Sequence, residues 1–276
     1  MKSYLKTKDF SVSQESFELL YDSDLEMLVT HPKPKNINPY YDSELYISHT
    51  DSKISFTDRL YQKVKQYSLK KKIQLIDNQI DKSKKLLDYG AGTGDFLAKA
   101  NSLGFEGEGI EPNGKARAKA VEKGIELQED ITSLKVKKYD VITLWHVLEH
   151  LPDLNKRIGD IEALLEEKGT VVVAVPNYKS YDAKHYKQYW AAYDVPRHLW
   201  HFSKTSIIRL FDRHGFEVVS IRPMLFDSFY VSLLSEKYRG NKLYLINAFF
   251  VGLWSNISAY FSKEYSSLIY VIKKKN

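Results

Sequence analysis

The chain has 276 residues, a formal net charge of +6, 43% hydrophobic and 28% charged residues, and no cysteine. That composition excludes wholesale disorder, and the missing cysteine excludes disulfides, zinc ribbons, thiolate nucleophiles and iron–sulfur clusters. The mild basic excess is compatible with anionic partners without requiring one, and the amino terminus has no apolar core of signal-peptide length, so a cytoplasmic location is expected.

Residues 1–54 read as an irregular amino-terminal extension or lid. The stretch HPKPKNINPYYDS is its clearest loop signal, and Tyr40, Tyr41, Tyr46 and His49 cluster just after it. The main domain is expected over 55–276. From Ser55 to Asp77, Phe56, Leu60, Val64, Tyr67 and Ile73 recur near the helical period. Strands and helices then alternate. Strands are expected at KKLLDYG, EGEGIEP, IELQED, YDVITLW, TVVVAVPN, FEVVSIRP and SSLIYVIKKK. The helix LNKRIGDIEALLEEKG is expected to close at Gly169. This order predicts an α/β, Rossmann-like, doubly wound seven-stranded sheet, mostly parallel with an antiparallel last strand. Between the last two strands, 224–266 is long enough for a two-helix insert. It is rich in aromatics, which suits an apolar cap over a hydrophobic or lipid-linked substrate or a homodimer interface. Within it, 243–261 is apolar but broken by Asn247, Ser255, Asn256 and Ser258, so it reads as a buried or surface-lying helix. Its basic flanks allow peripheral membrane or lipid contact.

The segment Asp88-Tyr-Gly-Ala-Gly-Thr-Gly94 joins a strand to a helix. Its glycines allow a sharp turn and close backbone approach to a ligand. The dinucleotide fingerprint would place its third glycine at position 95, where this chain has Asp95. An acid at that helix start opposes a pyrophosphate, which argues against a nicotinamide oxidoreductase. Glu111 closes the second strand, where a carboxylate can accept both hydroxyls of a ribose. Asp130 closes the third and can accept from a purine amine. Together they describe a nucleoside bound without phosphates.

With LLDYGAGTGDFL, GIEP, LQEDI and YDVITLWHVLEHLPD in order, the chain resembles the class I S-adenosylmethionine-dependent methyltransferases over about Lys84 to Arg222. The likeness is greatest to the small-molecule branch containing the quinone-biosynthesis O-methyltransferases. The resemblance implies S-adenosylmethionine as cofactor and S-adenosylhomocysteine as product. It implies that Asp88, Gly90, Ala91, Gly92 and Gly94 face the methionine part, that Glu111 and Pro112 border ribose and adenine, and that Asp130 and Ile131 border the adenine amine. Trp145 and His146 would stand near the carboxylate and sulfonium.

A hydroxyl nucleophile benefits from a general base, and histidine suits that role near neutral pH. His198 and His201 in DVPRHLWHF are the candidates, with Arg197, Tyr46 and His150 as substrate contacts. No histidine and acid set stands at a recognisable metal-ligand spacing, so no metal site is expected. Oxygen, nitrogen and carbon acceptors all remain open. A nucleic-acid methyltransferase is disfavoured by dispersed lysines and by Val-Pro-Asn-Tyr at 175–178, which lacks the Asn-Pro-Pro-aromatic tetrad. A non-catalytic cofactor-binding protein is the remaining alternative.

Overall fold

A computed structural model describes residues 1–41, 56–80, 84–136 and 138–275. Tyr46 and His49 lie outside the described residues. The central sheet has six strands: β4 (Lys85–Tyr89), β5 (Glu106–Ile110), β6 (Tyr139–Trp145), β7 (Leu165–Pro176), β9 (Phe216–Pro223) and β10 (Ser267–Lys274). Their spatial order is β5-β4-β6-β7-β10-β9. The first four are parallel, and β10 runs antiparallel to both neighbours. The seventh strand expected at IELQED is reduced to a single bridge between Ile110 and Gln128.

Two-residue alternation sorts the central side chains to opposite faces. On one face Leu86, Val141, Val172 and Val271 pack with α1 (Phe56–Asp77) and α2 (Asp95–Asn101), through residues such as Ile76 and Phe96. On the other, Leu87, Ile142, Val171 and Val173 pack with α4 (Leu154–Leu164) and α6 (Lys204–Asp212). Helix α3 (Gly114–Val121) adds Ala120 to the first face.

Helix α4 stops at Leu164, not at Gly169, because β7 begins at Leu165 beside Tyr139. Gly169 lies within β7, where a side chain would come within 2.7 Å of Leu165. The TVVVAV run showed the strand but not its start.

The amino-terminal segment is not irregular. It forms β1 (Lys2–Lys8), β2 (Ser16–Asp22) and β3 (Met27–His31), an antiparallel meander completed by β8 (Trp200–His201). Phe17, Leu19 and Leu28 pack against α5 (Tyr181–Tyr186) and the buried Trp190 and Tyr193. Met27 and Val29 point into the main core instead. The meander therefore packs one face on the segment that follows β7 and the other on the main core.

The insert forms α7 (Asp227–Tyr238) and α8 (Tyr244–Ser262). Helix α8 buries the small residues Ala248, Gly252, Ser255 and Ala259 and exposes large apolar ones, among them Phe249, Phe250, Trp254 and Phe261. Among the described residues no helix is long and apolar enough to cross a membrane. Asp182 of α5 anchors the insert: its buried carboxylate accepts hydrogen bonds from Trp190 Nε1, Ser255 Oγ and Ser266 Oγ, each at 2.7 Å.

Candidate active site

The carboxyl ends of β4, β5 and β6 meet at the glycine loop. Gly90, Gly92 and Gly94 all have positive φ, which favours glycine. They differ in their surroundings. A Cβ on Gly90 would come within 2.4 Å of Val147, and one on Gly94 within 3.0 Å of Ala120. One on Gly92 would meet no atom within 4 Å, so the loop is packed at its ends and open at its centre. The Gly90 and Ala91 amides donate to the Ile110 carbonyl at 2.8 and 2.9 Å, which ties the loop to β5.

Glu111 follows directly. Its Oε2 accepts from the Gly92 amide and its Oε1 from the Asn113 amide, both at 2.9 Å. Burial raises its pKa, and these two bonds oppose the rise. The carboxylate is thereby oriented beside the open part of the loop. Pro112 lies between Glu111 and Asn113, the N-cap of α3, and its carbonyl accepts from Arg117 at 2.8 Å. Asp130 caps the short 3-10 turn Ile131–Ser133, accepting from the Thr132 amide and hydroxyl at 2.8 and 2.6 Å. Asp95, at the start of α2, pairs with Lys65 and Lys123 at 2.9 Å each.

Asp88 is buried at the end of β4 and accepts from Thr143 Oγ1 at 2.6 Å. Burial pushes its pKa from 3.8 up to about 7, against the pull of Thr143 and Lys72. The folded state therefore holds this proton more tightly than the unfolded chain. The resulting stabilisation is complete below pH 3.8 and is lost as the pH rises through about 7. Urea unfolding should show the wild type losing stability relative to Asp88→Asn between about pH 4 and pH 7, with a constant difference above that. A difference independent of pH would refute the assignment.

Trp145 ends β6 with its ring edge-on to Phe96 at 5.5 Å and the Lys72 ammonium 4.3 Å above it. Its Nε1 is buried with no hydrogen-bond partner among the described residues. Lys72 was not singled out in the sequence. It is one of many lysines on α1, and only the fold brings it to Asp88 and Asp227.

His146 has φ 58, unusual for a non-glycine residue. Its Nε2 lies 3.1 Å from Asp227 of α7 and its Nδ1 3.4 Å from Glu149. Burial opposes its charge, yet these two carboxylates raise its pKa to about 9. The insert therefore reaches this site through α7, while α8 turns its apolar face outward.

Beyond β6, the short turn Leu148–His150 meets the segment following α5. The Leu199 amide donates to the Glu149 carbonyl at 2.8 Å. The His150 and His198 rings meet edge to face, 4.5 Å apart. His150 Nδ1 lies 3.0 Å from the Arg197 carbonyl and 3.0 Å from Tyr41 Oη, and His198 Nδ1 lies 2.8 Å from the Ala192 carbonyl. A carbonyl only accepts, so in both rings Nδ1 carries a proton, and in His150, which is held neutral, Nε2 keeps the lone pair. Burial and the neighbouring His198 hold the His150 pKa down at about 4.

Two sequence expectations change here. Arg197 does not reach for a substrate anion. It is 1% exposed and wholly engaged. Its Nε and Nη2 donate to Asp194 at 3.0 and 2.6 Å, Nη2 also donates to Asp9 at 3.0 Å, and Nη1 donates to the Tyr40 carbonyl at 3.1 Å. Arg197 and the loop amides hold the Asp9 carboxyl well below its usual range despite burial. His201 is likewise a strut and not a base at the mouth. It is buried in β8, with Nε2 3.0 Å from Thr30 Oγ1 of β3 and its ring edge-on to Tyr193. Thr30 Oγ1 donates to the His198 carbonyl at 2.6 Å, so it accepts from His201. Of that pair, His198 is the one whose ring meets His150 of the β6 turn.

Residues 61–221 match the family of methyltransferase domains, more than half of the chain. Among curated proteins, the ubiquinone biosynthesis O-methyltransferase of Aeromonas salmonicida is 35% identical over 104 residues, covering 34% of this chain and 44% of that protein. Its counterpart in Vibrio atlanticus is 34% identical over 113 residues, covering 36% and 46%. The match thus spans less than half of these curated relatives' length. Among solved structures, magnesium protoporphyrin IX methyltransferase from Synechocystis, with bound SAH, superposes with a TM-score of 0.56 at 13% identity, over 87% of this chain and 98% of that one. A SAM-dependent methyltransferase from Thermotoga maritima gives 0.52 at 14% identity, over 80% and 97%. These two likenesses establish the fold.

Proposed function

The chain belongs to the class I S-adenosylmethionine-dependent methyltransferases, and from that premise we propose that it is a cytoplasmic enzyme that methylates an oxygen of a hydrophobic or lipid-linked small molecule. The observation that carries the cofactor reading is the Glu111 carboxylate, pinned by two backbone amides beside the open centre of the glycine loop. When bound, S-adenosylmethionine supplies an activated methyl group on a positively charged sulfur. Glu111 would accept the ribose hydroxyls, and the bare backbone of Gly90, Ala91 and Gly92 would lie along the methionine chain. Asp130 and Ile131 would border the adenine. Trp145, whose Nε1 has no partner among the described residues, and His146 would flank the methionine end.

On the acceptor side, His198 Nε2 would take the proton of an attacking hydroxyl. A lone pair on a ring already fixed through Nδ1 suits that transfer. The exposed apolar side of α8 supports an acceptor with a hydrophobic tail, and the same side would rest on a lipid surface. The names of the curated relatives, ubiquinone biosynthesis O-methyltransferases, support both the oxygen and the lipid character.

Calorimetric titration with S-adenosylhomocysteine tests the cofactor part. Glu111→Ala should weaken binding by about 1–3 kcal/mol, the scale for losing a charged hydrogen-bond acceptor. Equal affinities in the two proteins would remove the ribose assignment.

A further inference from the structure

We propose that Glu149, His150 and His198 form a binding site for one divalent transition-metal ion, with zinc the best fit. One ligand atom from each residue lies within 4.8 Å of the others. The inference concerns this side-chain cluster alone and does not rest on the methyl-transfer reading; His198 Nε2 serves here as a ligand, so it can act as the base proposed above only in the metal-free protein.

Two features distinguish the cluster from a chance meeting of polar groups. The first is Glu149. It is 1% exposed, and neither carboxylate oxygen has a hydrogen-bond partner among the described residues. Its nearest cation is His146 Nδ1, a long contact at 3.4 Å. A buried carboxylate without donors is costly to maintain and calls for a partner. The second is the state of the two imidazoles. Each Nδ1–H donates to a backbone carbonyl, Arg197 for His150 and Ala192 for His198. Metal-bound histidines use this same outer bond, which fixes the ring and strengthens the other nitrogen as a donor of electrons.

The donor set indicates the ion. Two imidazoles and one carboxylate suit zinc and its first-row neighbours, whereas magnesium and calcium prefer all-oxygen sites. Metal–ligand bonds of about 2.0–2.2 Å put ligand atoms roughly 3–4 Å apart, so the side chains would close inward by about an ångström. Three protein ligands also leave a coordination position for water or a ligand oxygen. Asp194 Oδ2, 3.9 Å from His198 Nε2, stands outside the trio because Arg197 holds it. Sequence spacing concealed the site, since His150 and His198 come from different segments that the Leu199–Glu149 backbone bond joins.

The test uses the purified full chain stripped with chelator and titrated with Zn²⁺ and Co²⁺. Calorimetry should show one equivalent of Zn²⁺ bound, and Co²⁺ should give a visible ligand-field spectrum. Glu149→Gln and His198→Ala should each weaken Zn²⁺ binding at least tenfold, while His214→Ala, a histidine on the far loop bonded to Asn155, should not. Circular dichroism of each variant verifies folding. One measurement needs no variant: ¹⁵N imidazole spectra of the wild type should show Zn²⁺ moving Nε2 of His150 and His198 and leaving His214 unchanged. Failure to bind Zn²⁺ at 100-fold excess, unaltered affinity in folded variants, or shifts confined to other histidines would each overturn the proposal.

Discussion

Arg197→Met should cost about 3–5 kcal/mol of folding stability, the scale for removing one partner from a buried ion pair. The variant leaves Asp9 buried without the guanidinium and Asp194 half-buried with only the long contact to His198 among the described residues, although the methionine fills much of the same volume. It also frees the Tyr40 carbonyl and Ser11 hydroxyl. Because Asp9 belongs to the β1–β2 turn and Asp194 to the segment after α5, the loss falls on the junction between the two sheets. Urea unfolding of the variant, compared with Arg197→Met combined with Asp9→Asn, measures it. The double variant should recover part of the loss, since it removes one stranded charge. A single-variant loss under about 1 kcal/mol would show that water or rearrangement replaces the guanidinium.

Asp182→Ala should be nearly as damaging, at about 3 kcal/mol. Each buried donor left without an acceptor costs about 1–3 kcal/mol. Here the Trp190 indole, Ser255 and Ser266 all lose theirs, and the two hydroxyls can turn to other acceptors more readily than the indole can. Ser255 lies on α8 and Ser266 just before β10, so the variant loosens the insert at both ends of its attachment. Thermal unfolding followed by tryptophan fluorescence would report the change. An unaltered midpoint would mean that α8 is held by its packing on α7 alone.

Much of the central sheet was legible because its signals are local. Val171 to Val175 read as a buried strand on composition alone, and the glycines at 90, 92 and 94 marked the loop between β4 and α2. Glu111 was legible for the same reason, being fixed by its place at the end of a strand. The amino-terminal sheet was not. In β1 only Thr7 is buried, so no apolar alternation announces it, and β3 is paired by a two-residue strand whose His201 lies 171 positions from Thr30. Arg197 and His201 were misread because loop residues rich in charge resemble ligand contacts until their partners are known. Asp9 and Thr30, the partners that changed their meaning, come from the far end of the chain. Glu149 was not legible, since nothing in its sequence neighbours reveals that its oxygens lack donors among the described residues. Lys72 carried no mark that set it apart from the other lysines of its helix.

The β3–β8 pairing also bears on how the protein is made. A ribosome releases β1 to β3 first, and β8 only after four of the six central strands have emerged. Until then the outer edge of β3 presents open amides and carbonyls beside Met27, Leu28 and Val29, an invitation to the wrong strand. The nascent chain thus carries an unfinished seam through most of translation, and conditions that slow elongation or crowd the emerging chain should lower its yield before they affect the finished molecule.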